Sequence, residues 1–187
     1  MKLFKIFLSL IFIGVSSSWG WADERLNEQF HRYLLNKPQF EKVKQFIEAG
    51  ADIEVAESYG FGNQRKKGFT PLIRMAEVND LAAVRYLLDK GANVNAQDER
   101  GRSALMLAAW NKNLEMCKLL VAKGAEINLK GGVGVSALSF AFHAQDESVI
   151  EFLLSKGASW DTNWYTSNSI IIDLLTMPNA IYWVKMG

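Results

Sequence analysis

Lys90-Gly91-Ala92-Asn93-Val94-Asn95 closes one stretch of this chain, and Lys123-Gly124-Ala125-Glu126-Ile127-Asn128 closes another 33 residues later. Gly157-Ala158 follows at the same step. Working outward, the register also holds Gly68, Gly101 and Gly134, and the hydroxyl series Thr70, Ser103, Ser136 and Ser169. Leu72, Leu105, Leu138 and Ile171 come two residues after each hydroxyl. Independent series sharing one period are the sequence mark of stacked, near-identical supersecondary units.

Each unit reads as two helices and a turn. Thr70 or Ser103 is placed to cap a helix by accepting from an orphan backbone N–H. Leu72, Met75 and Ala76 then give that helix one apolar face at i, i+3, i+4 spacing. Asn79-Asp80 and Lys112-Asn113 break the first helix. The second helix presents Val84, Leu87 and Leu88, matched by Cys117, Leu120 and Val121 and by Ile150, Leu153 and Leu154. Gly91, Gly124 and Gly157 follow it where a left-handed residue ends the helix. A unit of this size cannot bury its own apolar face, so neighbours must cover it and the ends must be capped.

These residues resemble the ankyrin repeat. The resemblance rests on Gly68-Phe69-Thr70-Pro71-Leu72, on Leu107-Ala108-Ala109, and on the two Lys-Gly-Ala endings, and it covers essentially the whole chain after the N-terminal segment. It implies an all-α solenoid of helix-turn-helix units joined by β-hairpin-like loops. The units expected are an N-terminal capping repeat at 24–66, repeats at 67–99, 100–132 and 133–166, and a truncated capping repeat at 167–187. Gly50 to Gly91 is eight residues longer than the period, which places a longer loop in Ser58–Lys67. Leu26 to Leu35 is the first helix of the N-terminal cap, with His31 aligned to Leu72 as a partly buried filler. The family histidine after Thr-Pro-Leu is replaced by Ile73, Met106 and Ser139. Where the family uses that histidine to tie neighbouring loops, this chain needs other ties.

Residues 1–22 have the layout of a secretory signal peptide. Lys2 and Lys5 form a short basic start, the chain from Leu3 to Val15 is apolar apart from Lys5, Ser9 and Gly14, and Gly20-Trp21-Ala22 puts small residues before a cut at Ala22/Asp23. The run is shorter than the ~20 residues a membrane span requires. The opposing reading is an uncleaved anchor and a membrane-tethered scaffold. Cleavage removes two lysines and no acid, so 19 basic and 20 acidic residues remain of the original 21 and 20. A near-neutral exported chain without a disulfide fits a bacterial periplasm better than a eukaryotic extracellular space.

The composition narrows the chemistry. A formal net charge of +1 lacks the basic excess of a general nucleic-acid binder. One cysteine, Cys117, excludes an internal disulfide framework and a multi-cysteine zinc site. Cys117 aligns with Val84 and Ile150 and reads as a small core residue. His31 and His143 have no nucleophile or orienting acid at useful spacing, so no catalytic residue and no enzyme is read here. Gly131-Gly132-Val133-Gly134 lacks the lysine of a phosphate loop and reads as a flexible hairpin tip. The acids form no ligand cluster, and neither a metal nor any other cofactor is expected.

Family binding positions, carried over residue by residue, line the concave face and hairpin tips. They fall on Lys66, Lys67, Phe69, Glu77 and Val78, then on Gln97, Glu99, Arg100, Arg102, Trp110 and Asn111. The fourth repeat adds Lys130, Val133, Val135, His143 and Ala144. The surface is basic at one end and aromatic toward the other, which suits a protein partner better than a polyanion. Trp160, Trp164 and Tyr165 either cap the array or present a second patch, while Trp183 aligns with core positions and closes the C-terminal end.

The sequence therefore implies a monomeric, non-catalytic protein-binding module of the cell envelope, with no stable membrane anchor once the leader is removed. Alternatives are an immunity or inhibitor protein for a secreted toxin or enzyme, or a small-ligand binder using the aromatic C-terminal end. Export predicts a mature N-terminus of Asp23-Glu24-Arg25; mass spectrometry that finds Met1 retained on membrane-bound protein would refute it.

Overall fold

The computed structural model describes residues 19–36, 38–55, 58–59, 66–67 and 69–159. The expected truncated repeat at 167–187, the aromatic residues from Trp160 onward and residues 1–18, where the signal peptide is expected, lie outside them. The described residues form four helix pairs. They are α1 (Trp19–Leu35) with α2 (Phe40–Glu48), α3 (Pro71–Glu77) with α4 (Leu81–Asp89), α5 (Ala104–Trp110) with α6 (Leu114–Ala122), and α7 (Ala137–Ala144) with α8 (Glu147–Ser155). This is an all-α repeat solenoid. Short strands β1 (Ser58–Tyr59) and β2 (Lys66–Lys67) pair antiparallel within the long first connection, with Ser58 opposite Lys67. A single antiparallel bridge, Gln97 to Ser103, closes the next hairpin. No helix among the described residues is long and apolar enough to cross a membrane.

The caps form as the hydroxyl series requires. Thr70, Ser103 and Ser136 accept from the backbone N–H of Ile73, Met106 and Ser139, each at 3.4 Å. At Ser136 the partner is reciprocal, because Ser139 Oγ accepts from the Ser136 N–H. Asp80, Asn113 and Asp146 then cap the second helices, accepting from Ala83, Met116 and Val149 at 2.9–3.0 Å. Each follows a residue held in left-handed backbone: Asn79, Lys112 or Gln145, at φ 57–62°. One such residue turns the chain between the helices of a pair.

The inner helices α1, α3, α5 and α7 stack on one another, and the outer helices do the same. Leu72, Ile73, Met75, Leu105, Met106, Leu138 and Ile150 are fully buried between the layers. Ile73 and Met106 thus fill by packing the place where the family carries a histidine. One set of polar ties between repeats runs along the turns. Asn95 donates to Gly124 O at 3.3 Å and accepts from the Glu126 N–H at 2.8 Å. Asn128 repeats this with Gly157 O and the Ser159 N–H, at 2.9 and 2.8 Å. Glu54 takes the corresponding place at the first junction, accepting from the Asn93 N–H at 2.7 Å.

Two sequence expectations are corrected by the packing. The aligned register of α1 is one residue off, because four residues separate α1 from α2 where three separate α3 from α4. His31 therefore corresponds to Ile73 rather than Leu72. It is fully rather than partly buried, at 1% exposure, and stacks on Phe69 with ring centroids 5.7 Å apart. The glycines at 131–134 are not a flexible tip. Residues Gly132–Gly134 form a 3-10 turn, and the Gly132 N–H donates to Arg100 O at 2.9 Å. A Cβ on Gly101 would sit 2.4 Å from Gly132 N, and one on Gly132 would sit 2.6 Å from Arg100 O. Glycine is needed here because two hairpin backbones touch.

Cys117 is completely buried, as its alignment implies. Burial, reinforced by the negative charge of Asp146, pushes its thiol up to about 12, so it stays protonated at neutral pH. Cys117→Ser is expected to lower stability by about 1–3 kcal/mol through an added buried hydroxyl, read from the urea midpoint. Native protein should resist alkylation at pH 8 until it is unfolded.

Candidate partner-binding face

The C-terminal ends of the inner helices form one row, and polar contacts bind that row into a continuous surface. Arg74, on α3, donates through Nε to Leu34 O at the end of α1 at 2.8 Å. Its guanidinium also pairs with Glu77 at 2.5 Å. The second carboxylate oxygen of Glu77 meets Arg102 Nη1 at 3.3 Å. Arg102 Nε in turn reaches Asp98 Oδ2 at 2.7 Å. Asp98 Oδ1 accepts from the backbone N–H groups of Arg100 and Arg102 at 2.9 and 2.8 Å. The carboxylate of Asp98 is thus saturated at only 3% side-chain exposure.

Other expected binding residues also serve the fold. Asn111 donates to Ala76 O at 2.9 Å and Glu77 O at 3.3 Å, closing the C-terminus of α3 from the neighbouring repeat. Gln97 Nε2 donates to both Gly101 O and Lys130 O, at 2.8 and 2.7 Å, joining consecutive hairpins. Phe69 is half-buried between the His31 ring and the Arg74 guanidinium, 5.6 Å from its centroid. These side chains shape the surface, and their hydrogen-bonding capacity is largely committed within the chain.

What remains outward is aromatic and, at the tips, charged. Trp110 is 48% exposed. It stacks on exposed His143 with centroids 5.1 Å apart and an interplanar angle of 14°. It also meets the Phe140 ring edge-on at 6.0 Å. The α5 and α7 ends therefore carry one continuous aromatic ledge. Glu99, Arg100 and Lys130 are exposed at the hairpins, and Lys66 and Lys67 form β2. Val78 is exposed as the C-cap of α3, and Val135 and Ala144 are half-buried. At the hairpins, Asn93, Asn95, Gln97, Arg100 and Lys130 are among the residues lining an open groove of about 860 Å³.

Sequence reasoning passed over Asp98, Arg74, Phe140 and Leu35. Asp98 had a usable signal, since Asp at the first and Gly at the fourth position of Asp98-Glu99-Arg100-Gly101 suit a type I turn. Arg74 and Phe140 had none, because an inner-helix position is polar or aromatic without breaking the pattern. Leu35 joins the row only through the one-residue offset of α1.

Arg102→Ala leaves the buried Asp98 carboxylate with backbone donors alone. It should cost about 1–3 kcal/mol, with part of the loss recovered in the Asp98→Asn double variant; urea denaturation of the three proteins measures both. Equal stability of Arg102→Ala and the parent would show that the network is idle.

A family model for ankyrin repeats, in three copies, matches residues 30–131. The mouse B-cell lymphoma 3 protein homolog is 44% identical over 69 residues, which make up 37% of this chain. The chain spans 14% of the length of that curated relative. Ankyrin repeats are generally protein–protein interaction modules. The 33-residue period, the helix pairs and the family match over more than half the chain agree: this chain belongs to the ankyrin-repeat family.

Proposed function

We propose that this protein binds a protein partner in the cell envelope, through the ends of its inner helices and its hairpin tips, and that it catalyses no reaction. The observation that carries the reading is the Trp110 ledge. A large aromatic ring lies half-exposed at the centre of the row, held flat by His143 and edge-on by Phe140. Tryptophan so placed is rigid before binding and offers a large apolar area with little side-chain entropy left to lose, which is the character of interface hot spots. Beside it Asn111, Glu77, Arg102 and Asp98 are already paired within the chain, so a partner gains chiefly by covering the ledge and meeting the charged tips. The envelope location rests on the basic, apolar and small-residue layout of residues 1–22.

Trp110→Ala separates binding from folding, because it removes exposed surface and leaves the Arg74–Glu77–Arg102–Asp98 network untouched. Crosslinking and affinity capture with the exported protein should recover one stoichiometric protein whose yield falls at least tenfold with the variant, while the melting temperature changes little. A partner retained at full yield by Trp110→Ala would place the contact elsewhere.

A further inference from the structure

Among the described residues, three large apolar side chains are exposed: Leu35 at 43%, Val78 at 38% and Trp110 at 48%. They lie at the C-terminal ends of three successive inner helices, α1, α3 and α5. The corrected register puts Leu35 at the position of Glu77, Trp110 and His143. Val78 adjoins Glu77, and Phe140 with His143 continues the row onto α7. The result is a row with one exposed apolar side chain at the end of each of α1, α3 and α5, Val78 standing one residue past the register position that Glu77 holds.

Packed helices lie about 8–10 Å apart, so the row repeats on that pitch. Same-face residues of an extended strand recur at about 6.6 or 13 Å, which misses it. Residues seven apart on an α-helix recur at about 10.5 Å on one face, which matches. A polyproline segment, with same-face residues about 9.3 Å apart, also matches in length but fails on chemistry. Trp110 and His143 stack on each other at 5.1 Å, leaving no slot between rings for a proline. An extended segment of either kind also needs surface partners for its backbone. Four of the donors along the row are committed to the chain itself: Asn111 to α3, Gln97 to the hairpins, Arg74 and Arg102 to Glu77 and Asp98. A helix satisfies its own backbone and asks the surface only for apolar cover.

The charges agree in sign. Arg74 and Arg102 are matched by Glu77 and Asp98, which leaves exposed Arg32 and Lys112 beside the row and, at the hairpins, Arg100 and Lys130 against the single acid Glu99. We infer that the partner presents an amphipathic helix lying across the inner-helix ends, with apolar residues in heptad spacing and acidic residues beside them. This inference rests on the concave-face reading above.

The test uses the full-length protein and three fluorescent peptides followed by polarisation. The first is an alanine-based helix of about 22 residues with leucine at every seventh position and glutamate beside each. The second has the same composition with its leucines moved to opposite faces. The third is proline-rich, with leucine at every third position. The heptad peptide is expected to bind at least tenfold more tightly than either control. Its affinity should fall about tenfold or more with Trp110→Ala and with Leu35→Glu, both checked for native circular dichroism. Absence of heptad binding, or equal binding of a control, overturns the helical partner. If a control then binds and still depends on Trp110, the concave face survives as the binding surface. If no bound peptide responds to Trp110→Ala or Leu35→Glu, the face itself is refuted.

Discussion

Each helix pair in this protein has apolar surface on both sides and relies on its neighbours to cover it. Ile73 and Met106 make the point: each is fully buried although it belongs to a helix of only seven residues. Isolated helices of that length are not stable in water. They persist because α3, α5 and α7 lie against one another, and because the stacking register is pinned at the turns. Asn95 and Asn128 reach from one turn to the next and satisfy backbone groups there. Gly132 docks on Arg100 at the hairpins. The array is therefore held twice, by apolar contact through its centre and by carboxamide bridges along its edge.

This manner of construction fixes the character of the exposed face. The inner-helix ends must be closed, since the last carbonyls of a helix lack partners within it. The chain closes them with side chains from the adjacent repeat: Arg74 on Leu34 O and Asn111 on Ala76 O and Glu77 O. Such capping draws Arg74 and Asn111 onto the neighbouring repeat and leaves Leu35, Val78 and Trp110 as the exposed large apolar groups among the described residues. Structural necessity and the recognition surface are thus complementary uses of the same row. The same logic governs charge, because Glu77 serves two arginines at once and Asp98 is enclosed by Arg102 and two backbone donors.

The outer helices carry a plainer surface. Lys123 of one repeat pairs with Asp89 of the preceding one at 2.8 Å, and this contact holds the Asp89 carboxyl below its usual range. Lys90 and Lys156 lie over the rings of Tyr86 and Phe152. These contacts shield aromatic rings on the outer layer with long, solvated side chains, whereas among the described residues no lysine or arginine lies over the ring of Trp110, which stacks on His143 and is 48% exposed.

The 33-residue period was enough to determine the fold, because local chemistry repeats with it. Hydroxyls cap the first helices, Asp or Asn caps the second, glycine takes the left-handed turn, and Cys117 falls at a core position. Trp110 was legible as an outward residue by the same register. The roles of Arg102, Asn111 and Gln97 were not, because a polar side chain in a repeat pattern has the same spacing whether it faces a partner or caps the next unit. The glycines at 131–134 were ambiguous for a related reason: composition cannot tell a mobile loop from two backbones in contact. His31 was displaced by a single extra residue between α1 and α2, a shift of about 100° around the helix. Only the packed structure, in which one unit's side chains meet another unit's backbone, decided which groups were left to face outward.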